Sequence, residues 1–435
     1  LHLSLRRQRQ MCIRDRYMAV IFGNGGVLGE FNTALASWPI WQWVVVLLVY
    51  SYIASVLPVW TLLQPRDYIN SLQLISALAL IVLGLFAAAF VGFTPSGASS
   101  SQSLKFVAPA FQWHPEGAPM IFPFLFITIA CGAVSGFHCL VSSGTSSKQL
   151  KSETDARFVG YGSMLTEGFL ATLVILACGA GLGLGLMKDG TLLTGEAAWQ
   201  SQYASWSAAG SLGAKVGAFV NGSANFLQAI GLSSAVAIAL MGVLVASFAG
   251  TTLDTACRLQ RYVVQELAAS LGGKTSDEGS RLATPFALLQ NKHGATIFAV
   301  LIATVMAAIP QGGAEWSLAN AGKGGLTLWP LFGATNQLLA GLSFLVIMFY
   351  LWRRGRAIWF IVIPMLFMLV MPMWAMLHQL FIAPGWLKAG QVDYLLGGIG
   401  LATIALEIWM IVEAIKLFPK AKGILEDNAL DREPA

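Results

Sequence analysis

Charge is scarce in this chain. Only 11% of its 435 residues are Asp, Glu, Lys or Arg, against about 25% in an ordinary soluble domain. A set of solvated domains is thereby excluded, although length alone would suggest two or three. Cysteine is scarce as well: Cys12, Cys131, Cys139, Cys178 and Cys257 form no CxxC pair, and four of them lie in or beside apolar runs. That pattern disfavours a disulfide framework or a zinc site and reads as small buried apolar residues. The chain also lacks the GxxxxGK-Ser/Thr loop of nucleotide-binding proteins, which disfavours ATP-driven transport by this chain alone. It shows no 20–50-residue repeat of the soluble solenoid kind.

What is present is apolar sequence. Hydrophobic residues make up 56% of the chain. Nine runs, at 40–63, 72–93, 120–142, 162–187, 228–252, 295–310, 328–350, 357–377 and 394–417, are each long enough, or nearly so, to span about 30 Å of hydrocarbon. The run at 295–310 is the weakest and ends early at Pro310. The expected fold is therefore an all-α polytopic membrane protein of about nine helices, whose main partner is a lipid bilayer.

The net charge of +5 could suggest nucleic acid, but the basic residues alternate between loops instead. Sixteen fall on one side: Arg66; Lys148, Lys151 and Arg157; Arg258, Arg261, Lys274, Arg281 and Lys292; Arg353, Arg354 and Arg356; Lys416, Lys420, Lys422 and Arg432. Five fall on the other: Lys105, Lys188, Lys215, Lys323 and Lys388. By the positive-inside rule the first side is cytoplasmic, and so is the C-terminus.

Residues 1–16 fit nothing that follows. They lack the apolar core of a signal peptide, and MCIRDR resembles translated sequencing-adapter sequence, so they read as a non-native leader. The native chain is expected to begin near Tyr17 without its own start. Residues 17–420 form one transmembrane domain, and 421–435 a cytoplasmic tail. Apolar, glycine-rich 18–30 reads as the end of a lost helix. Long outside loops at 94–119 and 188–225 are lids, packed caps or plain connectors; 270–285 is a solvated linker.

Four polar clusters interrupt the apolar runs. The first is Gly132-Ala133-Val134-Ser135-Gly136-Phe137-His138, followed by Ser142, Ser143, Gly144 and Thr145, with Lys148 beyond. Glycines here ease departure from helical geometry and free backbone groups for a ligand. His138 titrates in the range that suits proton coupling. The competing reading is a small-residue packing seam. Gly132, Ser135, Gly136, His138, Ser142, Ser143 and Thr145 are the candidate cargo-binding residues.

The second cluster, Ser247 to Thr255, offers Thr251, Thr252 and Asp254 to a small cation, unless Asp254 simply pairs with Arg258 at i, i+4. The third, Gln64-Pro65-Arg66-Asp67-Tyr68, suits a structural or gating role for Arg66 and Asp67. The fourth places Asn336 and Gln337 inside an apolar run, where interhelical hydrogen bonds are the default. Glu407, deep in the last run, fits an interhelical bond or a subunit contact. An intramembrane protease is disfavoured: Ser135 and His138 lie three residues apart on one segment rather than on separate helices.

Together PRDY at 65–68, GAVSGFHCLVSSGTSSKQL at 132–150, SFAGTTLDTACRLQRYVVQEL at 247–267 and LWPLFGATNQLLA at 328–340 closely resemble the carbon starvation protein A family of prokaryotic membrane transporters. The resemblance runs from about residue 20 to 420. It implies ion-driven uptake of small carbon nutrients, pyruvate or short peptides, across the inner membrane. It also implies a five-plus-five inverted-repeat fold in which 120–142 is the second broken helix and the first lies upstream of Tyr17. The chain alone is then expected not to transport. In that fold the helix two positions after the second broken helix carries a hydroxyl pair for sodium, where Thr251 and Thr252 fall. The coupling ion is accordingly a proton through His138, or sodium. No other cofactor and no nucleic acid partner are expected, and oligomeric state is left open. The alternative from another class is a membrane sensor or scaffold that binds without translocating.

Overall fold

The computed structural model describes residues 18–424, apart from 19, 24, 96–99, 113–116, 210–211, 273–284, 311–314 and 389–391. The expected leader 1–16 and most of the expected linker 270–285 and tail 421–435 lie outside the described residues.

The chain is an all-α polytopic membrane protein. In chain order its main elements are α1 (Gly26–Ala36), α2 (Ile40–Val56), α3 (Leu63–Phe90), α4 (Phe126–Ala133), α5 (Gly136–Val141) and α6 (Glu153–Leu176). A short hairpin follows, β1 (Leu186–Lys188) and β2 (Thr191–Leu193), then α7 (Gly195–Tyr203), α8 (Leu212–Ala229) and α9 (Ser234–Gly272). The rest are α10 (Pro285–Gln290), α11 (Lys292–Ala308), α12 (Trp329–Arg353), α13 (Trp359–Phe381) and α14 (Tyr394–Leu417).

Among the described residues, seven helical stretches are long and apolar enough to cross a membrane: Leu63–Phe90, Ile121–Gln149, Glu153–Leu184, Ser234–Leu271, Gly324–Arg353, Trp359–Phe381 and Tyr394–Lys420. The expected run at 40–63 is instead the second arm of a bent pair, α1 and α2, turned by 103°; counted as one span it would be the eighth. The run at 295–310 gives only the 17-residue α11, about 26 Å at 1.5 Å per residue. The expected outside loop 188–225 is largely structured. Its hairpin turns at Asp189 and Gly190, both at positive φ (50° and 77°), as a two-residue hairpin turn of twist-matched type requires. The second half of that loop belongs to α8. Loop 94–119 behaves as a packed cap where it is described: Val107 N donates to Gly179 O at 2.8 Å.

Two compact units divide the chain, 1–118 with 154–305, and 119–153 with 306–435. In the first, α3, α6, α8 and α9 pack around Ala77, Ile81, Leu173, Phe226, Leu227 and Met241. Small residues let backbones approach, as membrane helices require in the absence of a strong hydrophobic drive; a Cβ on Gly84 would collide with the Phe226 backbone. In the second, α12 and α13 form the central pair. Ile127, Leu331, Met376, Leu380 and Ile404 make one apolar cluster, and Leu338, Leu345, Met365, Leu369 and Ala414 another. Asp393 starts α14 by accepting from the Leu395 and Leu396 amides at 3.1 and 3.0 Å, the usual way of satisfying orphan donors at a helix start.

Candidate functional site

In the second unit, α4 and α5 are two halves of one span. Val134 (φ −139°, ψ 99°) and Ser135 (φ −116°, ψ 138°) are extended between them. A break of this kind leaves the last carbonyls of one half and the first amides of the other without intrahelical partners, which hydrocarbon tolerates only beside protein or a wet cavity.

The brace comes from α12. Asn336 Oδ1 accepts from Phe137 N at 2.9 Å and from Ser135 Oγ at 3.1 Å. Its Nδ2 donates to Ser135 Oγ at 2.9 Å and to Cys131 Sγ at 3.3 Å. Gln337 is fully buried. With its nitrogen turned toward the break, it donates to Val134 O at 2.6 Å and accepts from Cys131 N at 2.8 Å. Gly136 makes the contact possible: a Cβ there would collide with the Asn336 carbonyl oxygen and the Leu339 side chain. The first and fourth clusters of the sequence thus form one structure, and Asn336 and Gln337 do make interhelical hydrogen bonds. Ser135 Oγ is held by Asn336 and also accepts from Phe137 N at 3.2 Å.

The candidate cargo residues separate into two sets. Ser135, Gly136 and Thr145 are buried, whereas Gly132, His138, Ser142 and Ser143 are exposed. A Cβ on Gly132 would meet nothing within 4 Å. Ser142 and Ser143 hydroxyls donate back to Cys139 O and Leu140 O at 3.0 and 3.3 Å. Lys148 is exposed just past the π-helical turn Ser142–Ser146 that ends this span. Glu407 is 2% exposed, and its Oε1 has no hydrogen-bond partner.

In the first unit the second and third clusters meet. Pro65 sits in the first turn of α3, where no intrahelical donor is needed, and brings Arg66 and Asp67 against α9. Arg66 Nη1 pairs with Asp254 Oδ2 and donates to Tyr50 Oη at 2.8 Å. Arg66 Nη2 pairs with Asp67 at 3.0 Å. Tyr50 Oη in turn donates to Asp254 Oδ2 at 3.3 Å. One turn away Asn70 Nδ2 donates to Thr251 Oγ1 at 2.7 Å, and Thr251 Oγ1 donates to Ser247 O at 3.0 Å. Thr252 lies on an exposed face and donates to Phe248 O at 3.2 Å, so the two hydroxyls do not converge.

The alternative reading, an Asp254–Arg258 pair, is not what forms. Arg258 is spent on the end of α2, donating to Ala54 O and Leu57 O at 2.6 and 2.8 Å. Arg261 donates to Ser55 O at 2.8 Å. Two cations on the last carbonyls of a helix satisfy orphan acceptors and complement its dipole. Sequence reasoning named Arg66 and Asp254 but missed Tyr50 and Asn70, because their link crosses helices about 200 residues apart. It also missed Asn221, Asn225 and Gln228, which line a cavity of about 200 Å³ beside the hairpin. Asn221 and Asn225 fall in the expected loop 188–225 and Gln228 opens the expected run 228–252, so their i, i+4, i+7 spacing crosses that boundary as a helical signal.

Residues 16–375 match the family described as carbon starvation protein CstA. The peptide transporter CstA of Helicobacter pylori is 31% identical over 343 residues, 71% of this chain and 45% of that protein. That of Mycobacterium tuberculosis is 31% identical over 374 residues, 78% of this chain and 46% of the relative. The pyruvate/proton symporter BtsT of Escherichia coli is 30% identical over 385 residues, 77% and 50% respectively. The chain spans about half the length of the curated relatives it matches. No solved structure matches it.

Proposed function

Because the chain belongs to the carbon starvation protein CstA family, we propose that it serves secondary active uptake of small carbon nutrients, pyruvate or short peptides, with the α4–α5 break as the cargo contact. The observation that carries this reading is the division of labour at the break. Asn336 and Gln337 hold the opened backbone from one side, while Gly132, His138, Ser142 and Ser143 remain exposed on the other. Cargo would meet the exposed residues beside the interruption, the kind of broken helix at which transporters hold their substrates. The exposed imidazole of His138 would take up the coupling proton. The fold of this reading is a five-plus-five inverted-repeat transporter of about nine helices in this chain, set in the inner membrane with its C-terminus in the cytoplasm.

A sodium-coupled reading draws on one observation: Asp254 Oδ1 is buried with no hydrogen-bond partner, one turn from Thr251. Uptake of labelled pyruvate and of a dipeptide by the native protein in proteoliposomes separates the readings. Under an imposed proton gradient, uptake should appear and should be lost in His138→Ala. Sodium-driven uptake that survives that substitution would move coupling to Thr251 and Asp254. Binding without uptake under either gradient would leave a sensor in place of a transporter.

A further inference from the structure

At the end of the second unit, α12 and α14 are locked together by their last turns. Trp352 Nε1 donates to Phe418 O at 2.9 Å, and the two rings stack with centroids 4.7 Å apart. Gly423 N donates to Trp352 O at 3.1 Å, and Lys422 Nζ lies 5.3 Å from the Trp352 ring centre. The lock sets the basic ends of both helices side by side. Arg353, Arg354 and Arg356 come from one, Lys416, Lys420 and Lys422 from the other, all exposed.

Immediately inside that basic end the two helices leave a groove of about 380 Å³. Its floor and walls are apolar, among them Val346, Phe349, Met410 and Leu417, and Val346 is 65% exposed. Arg353 lines the groove directly. Arg354 stands over the ring of Tyr350, another lining residue, at 4.8 Å. The anionic side chain at the groove is Glu413, and Lys416 lies 3.8 Å from it. Arg353 on the lining and Arg354 over Tyr350 therefore close the basic end of a slot that runs from Leu345 to Arg353, about 12 Å of helix at 1.5 Å per residue. Among the described residues Arg353 and Arg354 make no ion pair, and an apolar slot ending in such positive charge has the complementarity of one ligand class, an amphiphile with a hydrocarbon tail and an anionic head. In a bilayer such grooves meet phospholipid, and basic pockets between membrane helices select anionic heads.

We propose that this groove is a binding site for an anionic phospholipid, with an acyl chain against Val346, Phe349 and Met410 and the phosphate on Arg353 and Arg354. The site is separate from the α4–α5 break and does not depend on the transport reading.

The test is native mass spectrometry of the detergent-solubilised native protein titrated with phosphatidylglycerol or phosphatidylcholine. Phosphatidylglycerol should bind preferentially. The pair Arg353→Gln and Arg354→Gln should cost about fivefold in that preference per cation removed, with phosphatidylcholine binding unchanged. Met410→Trp, on an exposed position, should fill the slot and release the lipid while leaving every charge in place; unaltered circular dichroism confirms that both variants fold. Equal retention of the two lipids would overturn the site, and so would full preference for phosphatidylglycerol in Met410→Trp. Displacement of the lipid by inorganic phosphate alone would also overturn it, because the tail would then contribute nothing.

Discussion

The polar knot between α3 and α9 makes an asymmetric prediction. Asp254 is fully buried and the Arg66 side chain is 13% exposed. Removing one partner of a buried ion pair strands the other, which costs about 3–5 kcal/mol. Arg66→Met strands Asp254 with the Tyr50 hydroxyl as its remaining hydrogen-bond donor, so the full penalty applies. Asp254→Asn leaves Arg66 with Asp67, which is 44% exposed and 3.0 Å away, and with Tyr50. The loss there is nearer a single charged hydrogen bond, about 1–3 kcal/mol. Joining Arg66→Met to Asp254→Leu removes both charges and should be milder than Arg66→Met alone, since an apolar pair of similar volume often replaces a buried ion pair at little cost. Against a total stability of about 5–15 kcal/mol these differences are easily read. The assay is denaturant unfolding of purified protein in detergent, followed by tryptophan fluorescence, for wild type, both single variants and the double. A cost below about 1 kcal/mol for Arg66→Met, or a double variant no more stable than Arg66→Met alone, would refute the reasoning.

The other predictions use the same assay with different readouts. Gly136→Ala should destabilise by about 1–3 kcal/mol, because its methyl group meets the Asn336 backbone, whereas Gly132→Ala should fold as wild type. Asn336→Leu removes its bonds to Phe137 N and Ser135 Oγ and leaves those two only each other, which should cost about 1–3 kcal/mol; a neutral effect would show that the break needs no brace. Arg258→Met uncaps the end of α2 at Ala54 and Leu57 and should cost a similar amount, checked by faster hydrogen exchange in that last turn. Tyr203 lies outside the spans, and burial, then Cys178, pushes its phenol above the usual value of 10.0. Its contribution to stability should be complete below that value and be lost as pH rises, because the unfolded state ionises first. Tyr203→Phe should flatten the alkaline limb of the stability curve.

The residues that carry chemistry were visible in the sequence because polar groups stand out in an apolar background. Gly132–Thr145, Thr251–Asp254, Arg66 and Asn336–Gln337 could be picked out by desolvation cost alone. What they do to one another could not. Asp254 had an arginine four residues ahead on its own helix, and local spacing favoured that pair; the fold instead gives Asp254 to Arg66 and spends Arg258 on the end of α2. Stretch 188–225 reads as loop because its small and polar residues lower its mean hydropathy, yet close packing of α8 against α3 and against Ala177–Gly181, just past α6, accompanies its helical end.

Composition and hydropathy by themselves determined that this is an α-helical membrane protein, since only helices satisfy every backbone group within one apolar segment. They also located the interruption to the stretch from Gly132 to Thr145, where glycine and serine replace the apolar run; the break itself, at Val134 and Ser135, came from the structure. Only the tertiary structure decided which polar side chain answers which. A buried hydrogen bond is set by distance between helices, and residues 201 apart, such as Ser135 and Asn336, carry no trace of each other in a linear pattern.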